Sequence, residues 1–292
     1  MLRVEQGGQT IQFAALGKVT YGDAPVNLAA SASSGLPVSY AVVSGPARVN
    51  GATLTVSGAG EVVVRASQPG DVNTVAAAPV EQLLVVEPRL LTVTPRAASR
   101  PYGQANPAFT LEYAGLVNGD TAEVVTAPVA ATTATPASAL GSYVVKLSGG
   151  TAANYTLRRQ DGTLTVTKAT QVISFPAPLN QAVGNPPFSL GAAASSGLAP
   201  VYTVVSGPAT VSGNTLTLTG AGTVVVKAAQ PGDENHEAAA EVERSFAVAA
   251  GVVVAGVTAE QAAGAYGAGT TIRVQVNFTG VVSVVGTLPL AL

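Results

Sequence analysis

The sequence contains no cysteine and no tryptophan, and only one histidine. Without cysteine there is no disulfide framework, no thiolate nucleophile and no Cys-based zinc site. One histidine excludes a multi-histidine metal site. His236 lies beside Glu234 and Glu237 and reads as a solvated loop residue, not a general base. Charged residues are 10% of the chain, against about 25% in an ordinary soluble domain. The 14 basic and 16 acidic residues leave a formal net charge of -2. The longest basic cluster is Arg158-Arg159, so nothing tracks a phosphate backbone, and no nucleic-acid partner is expected. Aromatic residues are 5% of the chain, too sparse for a row of sugar-stacking platforms. No pair of acids stands out at a spacing that suggests glycoside hydrolysis. No apolar run reaches the ~18 residues of a membrane-spanning helix, so no membrane insertion is expected from this segment. Met1–Gly8 lacks the basic and apolar regions of a signal peptide; the chain is then either cytoplasmic or, the preferred reading, a fragment of a longer chain whose export signal is expected outside this sequence.

What is present is a repeat. Ser44–Ala66, which opens Ser-Gly-Pro-Ala and closes Val-Val-Val-Arg-Ala, returns as Ser206–Ala228. Extended without a gap, Gln9–Val86 aligns with Gln171–Val248 at 43 of 78 positions. A repeat of this length is about one small domain, so the chain is an array of modules. The divisions expected are 9–87, 88–169, 170–249 and 250–292, in the order A–B–A with a truncated start of a further β-rich unit. There are 32 Gly and 19 Pro, and short Val/Thr runs between them favour strands joined by tight turns.

In 9–87, period-two alternation predicts strands at Thr10–Phe13, Val26–Ala30, Val38–Val43, Ala47–Val49, Thr53–Val56, Val62–Ala66 and Val80–Val86. Tyr40 and Val42 are assigned to the core and Arg65 to solvent. Seven short strands in this length predict two packed antiparallel sheets. In 88–169 the expected strands are Leu90–Thr94, Phe109–Tyr113, part of Thr126–Thr135, Gly141–Ser148, Asn154–Arg158 and Gly162–Thr167. Asp120 and Glu123 have the spacing of a reciprocal helix cap, predicting one helical turn to about Val125. In the second copy Tyr21 is replaced by Val183, which is expected to loosen that turn. Thr74-Val75 becomes His236-Glu237, which predicts an exposed loop free to drift. In the tail, Gly251–Val257 is a linker or a first strand, Thr270–Phe278 an amphipathic strand, and Val281–Leu292 a further strand or two.

Three acidic groups are the candidates for calcium: Asp71 with Asn73, Asp120 with Glu123, and Asp233 with Glu234 and Asn235. None has the alternation of an EF-hand loop, and turn or cap chemistry is the preferred reading. Val252–Gly256 lacks the Lys and Ser/Thr of a phosphate loop. No catalytic, cofactor-binding or metal-binding residue is assigned.

Units 9–87 and 170–249 resemble the bacterial immunoglobulin-like repeats of large secreted proteins, through Ser33-Ser-Gly-Leu36, Tyr40, Ser44-Gly-Pro-Ala47, Thr53-Leu-Thr55, Gly58-Ala-Gly60 and Gln68-Pro-Gly-Asp71. The middle unit resembles the MBG domains. Its matching residues are Leu91-Thr-Val-Thr94, Pro101-Tyr-Gly103, Asn106-Pro107, Leu116-Val-Asn-Gly-Asp120, Gly141-Ser-Tyr143, Asn154-Tyr155 and Gly162-Thr-Leu-Thr-Val166. The tail is similar to the opening of another bacterial surface repeat, by Tyr266-Gly-Ala-Gly269 and Ile272–Phe278. These resemblances imply an all-β chain of tandem immunoglobulin-like sandwiches around a mostly-β MBG-like domain. They imply a non-catalytic structural or adhesive segment, a stalk or spacer, at a bacterial cell surface or outside the cell, its modules monomeric within a longer chain. The alternatives are a module that binds a cell-surface protein or glycan through sandwich loops, and an accessory region of a secreted enzyme whose catalytic domain lies elsewhere.

Overall fold

The computed structural model describes residues 5–282. They form two compact units divided between Thr167 and Lys168. The described residues are β throughout, apart from one 3-10 turn at Ala122–Val124.

The first module contains nine strands: β1 (Ile11–Phe13), β2 (Gly17–Thr20), β3 (Val26–Asn27), β4 (Ala30–Ala32), β5 (Ser39–Ser44), β6 (Ala47–Asn50), β7 (Thr53–Val56), β8 (Gly60–Ser67) and β9 (Val80–Glu87). One sheet runs β2-β9-β8-β5; opposite are β3-β7-β6 and the pair β1-β4. Period-two alternation sends Val62, Val64 and Ala66 of β8 inward, to meet Leu54 of β7, Leu84 of β9 and Ile11 and Phe13 of β1 in one core. Arg65 points outward and pairs with Glu81 at 2.7 Å.

Two expectations are corrected. The sheets are not wholly antiparallel, because β2 runs parallel to β9. The first strand leaves β4 after Phe13, crosses over, and lands beside the last strand running in the same direction. The crossing strands the Phe13 carbonyl, which accepts from Gln82 Nε2 at 2.6 Å. The second copy solves the same problem with a different donor, Arg244 Nε to the Phe175 carbonyl at 2.8 Å. The segment Val26–Ala30 is likewise not one strand. Its halves join different partners, Val26 opposite Leu54 and Ala30 opposite Phe13. The Tyr40 hydroxyl takes up the Ala30 N–H at 2.6 Å where no ladder partner exists. Tyr40 and Val42 pack against the core.

The middle module repeats the crossing. It comprises β10 (Arg89–Pro95), β11 (Ala98–Pro101), β12 (Leu111–Ala114), β13 (Val125–Thr126), β14 (Val129–Thr132), β15 (Gly141–Ser148), β16 (Thr151–Ala152), β17 (Tyr155–Arg159) and β18 (Gly162–Thr167). Strand β10 lies between β12 and β17, and β11 lies in the other sheet, parallel to β18. Only Pro88 separates β9 from β10. Leu91, Val93, Val125 and Tyr155 are continuous with the buried cluster of the first module, and Val145 and Leu164 form a second, smaller one.

In the second unit the nine strands of the first module return: β19 (Ile173–Ser174), β20 (Gln181–Ala182), β21 (Phe188–Ser189), β22 (Ala193–Ala194), β23 (Val201–Ser206), β24 (Ala209–Ser212), β25 (Thr215–Leu218), β26 (Gly222–Ala229) and β27 (Val242–Ala249). The last five are β5 to β9 displaced by the repeat offset, residue for residue. They close on a core of their own, including Phe175, Leu216, Val224, Val226 and Phe246. In the tail, β28 (Val254–Ala259) pairs antiparallel with β29 (Val274–Phe278). The linker candidate is therefore in part a strand, and the amphipathic strand begins four residues later than its alternation suggests. The strands expected in Val281–Leu292 lie almost wholly outside the described residues.

The repeated Ser-Gly-Pro marks a β-bulge, where the β5–β8 register shifts between Val42 and Ser44 and the β23–β26 register between Val204 and Ser206. Gly45 then takes φ 98° and Gly207 φ 99°. A Cβ at Gly45 would overlap the Glu61 carbonyl and lie 2.7 Å from Val62 Cα. Gly45→Ala and Gly207→Ala should each cost about 2–4 kcal/mol, read as a lower denaturant midpoint. Gly35, also at positive φ but with open space around it, should lose only about 1 kcal/mol on the same change.

A shared carboxylate joint as the candidate functional site

The single histidine was the natural starting point for catalysis. His236 Nδ1 lies 2.9 Å from Asp233 Oδ1, and the ring, 18% exposed, is half-buried. The same carboxylate oxygen accepts from the Asn235 and His236 amides at 2.8 and 2.7 Å. Desolvation of Asp233 opposes its ionisation, but those amides and the imidazole outweigh it and hold the carboxyl below its usual value. The pair closes a loop whose backbone grips Ala169: Ala169 N–H donates to Asn235 O and Glu237 N–H to Ala169 O, both at 2.9 Å. In the first copy Gly7 N–H donates to Asn73 O at 2.8 Å and Val75 N–H to Gly7 O at 3.0 Å. The loop thus keeps its backbone clamp, and only its side chains have diverged. Among the described residues no group of three or more His, Asp or Glu converges as a metal cage would require. Asp71 Oδ1 accepts the Asn73 N–H at 2.9 Å, within its own turn.

Asp120 behaves differently from every expectation placed on it. The 3-10 turn at Ala122–Val124 exists, but its cap is Thr121, whose hydroxyl accepts from the Glu123 N–H. The Asp120 carboxylate turns the other way. Its Oδ2 accepts from the Tyr155 hydroxyl at 2.7 Å and from the Tyr21 hydroxyl at 3.1 Å. Tyr21 is 3% exposed and Tyr155 4%, and their rings meet edge to face at 5.6 Å and 88°. One carboxylate oxygen therefore holds two buried phenols, one from each of two successive modules.

Local sequence places each group. Val117-Asn-Gly-Asp120 is a tight turn closed by Asp120 N–H to Val117 O at 2.9 Å, with Asn118 at φ 57° and Gly119 at φ 80°. Both central residues take positive φ, a geometry that Asn-Gly favours, and the turn delivers the carboxylate to the joint. Thr20-Tyr-Gly-Asp23 is a second turn, closed by Asp23 N–H to Thr20 O at 3.0 Å and pinned by Tyr21 N–H to Glu87 O at 2.9 Å. Gly22, at φ 86°, leaves room for Val117; a Cβ there would overlap the Val117 side chain. One further bond crosses the seam, Ala59 N–H to Asn154 Oδ1 at 2.9 Å, and within the middle module Val117 N–H donates to the Tyr155 hydroxyl at 3.0 Å. Around it lie the ion pairs Lys18–Glu87 at 2.8 Å and Arg89–Asp23 at 3.7 Å.

Beyond the joint, Arg100 is 4% exposed in β11. Its guanidinium binds Asn106 Oδ1 at 2.7 Å together with the Pro101 and Thr135 carbonyls, tying the two loops at that end of the middle module. Sequence reasoning passed over Arg100 and the partnership of Tyr21 with Tyr155, and it held Asn154-Tyr155 only as a motif of the resemblance, not as groups of the seam. The one signal available was that Tyr21 is not retained in the second copy.

Residues 91–165 match the family described as MBG domain (YGX type). The match contains Asp120 and Tyr155 and leaves out Tyr21. No curated protein gives a significant match to the chain. Among solved structures, Drosophila N-cadherin EC1-4 is 12% identical, with 83% of this chain and 76% of that one covered, at a TM-score of 0.28. Mouse cadherin-23 EC22-24 is 14% identical, covering 83% and 99%, at 0.27. The Bacteroides ovatus mixed-linkage glucan utilization locus protein SGBP-B, solved with a mixed-linkage heptasaccharide, is 14% identical, covering 91% and 76%, at 0.23. At these scores the fold rests on the chain's own strand ladders.

Burial raises the Tyr155 pKa above the usual phenol value, and the hydrogen bond to the Asp120 carboxylate raises it further against the opposing Val117 contact. A raised phenol favours the folded state while it stays protonated. Its contribution is complete below the unfolded value near 10 and is lost as pH rises through the higher folded value. Unfolding of the whole chain followed between pH 8 and 12 should show this alkaline loss, and Tyr155→Phe should flatten it.

Proposed function

We propose that the chain is a non-catalytic structural segment of a large bacterial extracellular protein, acting as a stalk or spacer with an adhesive context. Its modules are assigned to 9–87, 88–169 and 170–249, and 250–292 to the start of a further surface repeat. The observation that carries this reading is where the buried polar chemistry has gone. The carboxylate shared by two phenols is spent on holding one module to the next, not on lining an open cleft. The matched MBG domain and the surface-protein resemblance of the flanking repeats support placement at or outside the cell surface. Among the described residues no helix is long and apolar enough to cross a membrane.

A second reading, binding of a glycan or a cell-surface protein through sandwich loops, is supported by how firmly one loop pole is set. Gln9, buried, donates to Val75 O at 2.9 Å and accepts from Ser34 Oγ at 2.5 Å, while Gln68 Nε2 reaches Pro37 O at 3.0 Å. The second copy keeps the arrangement in Gln171, Ser196 and Gln230. Loops fixed in advance lose little entropy when they bind. The heptasaccharide of SGBP-B makes soluble mixed-linkage glucan a first probe.

Stretching the chain by its ends tests whether its modules bear load as a spacer must. A spacer should resist force and then give discrete cooperative unfolding steps that recur after relaxation. Smooth extension without steps would contradict the proposal.

A further inference from the structure

The chain contains two copies of one sandwich with different successors, and the face each presents at its C-terminal end differs just where the joint is built. The turn itself is the same. Val183 N–H donates to Ala249 O at 3.0 Å and Asn185 N–H to Ala182 O at 3.1 Å, as Tyr21 and Asp23 do in the first copy. Gly184 keeps positive φ at 97°. What has changed is the set of ring, hydroxyl and charged side chains around that turn. Tyr21 becomes Val183, which is 39% exposed. Arg89, Glu87, Asp23 and Lys18 become Gly251, Ala249, Asn185 and Asn180. Gly22 fits against Val117, whereas Gly184 has no described atom within 4 Å of where its Cβ would stand. Gly58 lies against Asn154, whereas its counterpart Gly220 meets only Pro208 among the described residues.

We infer that this turn is a partner-selecting surface, and that tyrosine at its first central position fits the sandwich to a following domain that presents a carboxylate and a phenol on neighbouring loops. In this chain that partner is the MBG-type domain, through the Val117–Asp120 turn and Asn154-Tyr155. The valine copy offers no hydroxyl to such a carboxylate and no ring to the phenol, and so is built for a different neighbour. The second copy also shows that the sandwich folds with valine at this turn, so the position is free to encode the partner. The inference holds whether or not the chain serves as a spacer.

The test is amide hydrogen exchange on the full chain carrying Tyr21→Val, the residue found in the second copy. The Ala59 and Val117 amides, whose acceptors lie across the seam or on Tyr155, should exchange about tenfold faster or more. Asp120→Asn made in the Tyr21→Val background should add little further loss at these amides, because both changes break the same joint. Tyr21→Phe, which keeps the ring and loses the hydroxyl, should fall between wild type and Tyr21→Val. Unchanged protection at Ala59 and Val117 would overturn the inference. Fully additive losses from Tyr21→Val and Asp120→Asn would also overturn it, because Tyr21 would then be serving its own core.

Discussion

A carboxylate oxygen removed from water must be supplied with donors, and Asp120 Oδ2 receives them from two phenols that belong to different sandwiches. Removing either partner leaves a charge short of a hydrogen bond in a part-buried site, at a cost of about 1–3 kcal/mol for each group so exposed. The geometry admits little variation. Tyr21 comes from a turn pinned to the end of β9, Tyr155 from the start of β17, and Asp120 from a turn whose two central residues sit at positive φ. The position of the middle module on the first follows from these three anchors.

Small sandwiches gain from such an arrangement. A module of this size buries a smaller fraction of its surface than a larger domain does, and these cores rely on Val, Leu and Ala with few aromatic rings. The first module extends its core through Tyr21 into Leu91, Val93 and Tyr155 of the next. The second copy instead closes on Phe175, Phe246, Tyr202 and its aliphatic neighbours. Phe246 stands where the first copy has Leu84 and meets Phe188 edge to face at 6.0 Å, where the first copy has Val26. The two copies thus reach burial differently, one partly through its neighbour and the other through larger side chains inside.

The repeat and the alternation of valines made most of the strand plan legible. Strands such as Gly141–Ser148 and Gly162–Thr167 appear with the limits their pattern suggests, because both faces of the pattern are used as written. What escaped was whatever depends on a partner distant in sequence. Gly17–Thr20 is too short and polar to stand out, and is a strand only because β9 lies beside it. Val26–Ala30 alternates cleanly, yet Tyr40 supplies a hydrogen bond that lets it split between sheets. Asp120 has cap spacing to Glu123 three residues on, whereas its actual partners lie 35 and 99 residues away. Local spacing carries no information about contacts of that range. The loss of Tyr21 in the second copy was visible, but it read as a weakened turn when the turn is intact and the docking face is what changed.

The central claim is that the first sandwich and the MBG-type domain are one cooperative body, joined through Asp120, while the second sandwich is another. Calorimetric unfolding of the whole chain, with exchange labelling to assign each transition, addresses this directly. The account predicts that residues 9–87 and 88–169 lose structure in a single transition, distinct from that of 170–249. Melting of 88–169 at a temperature of its own, with 9–87 still folded, would contradict it.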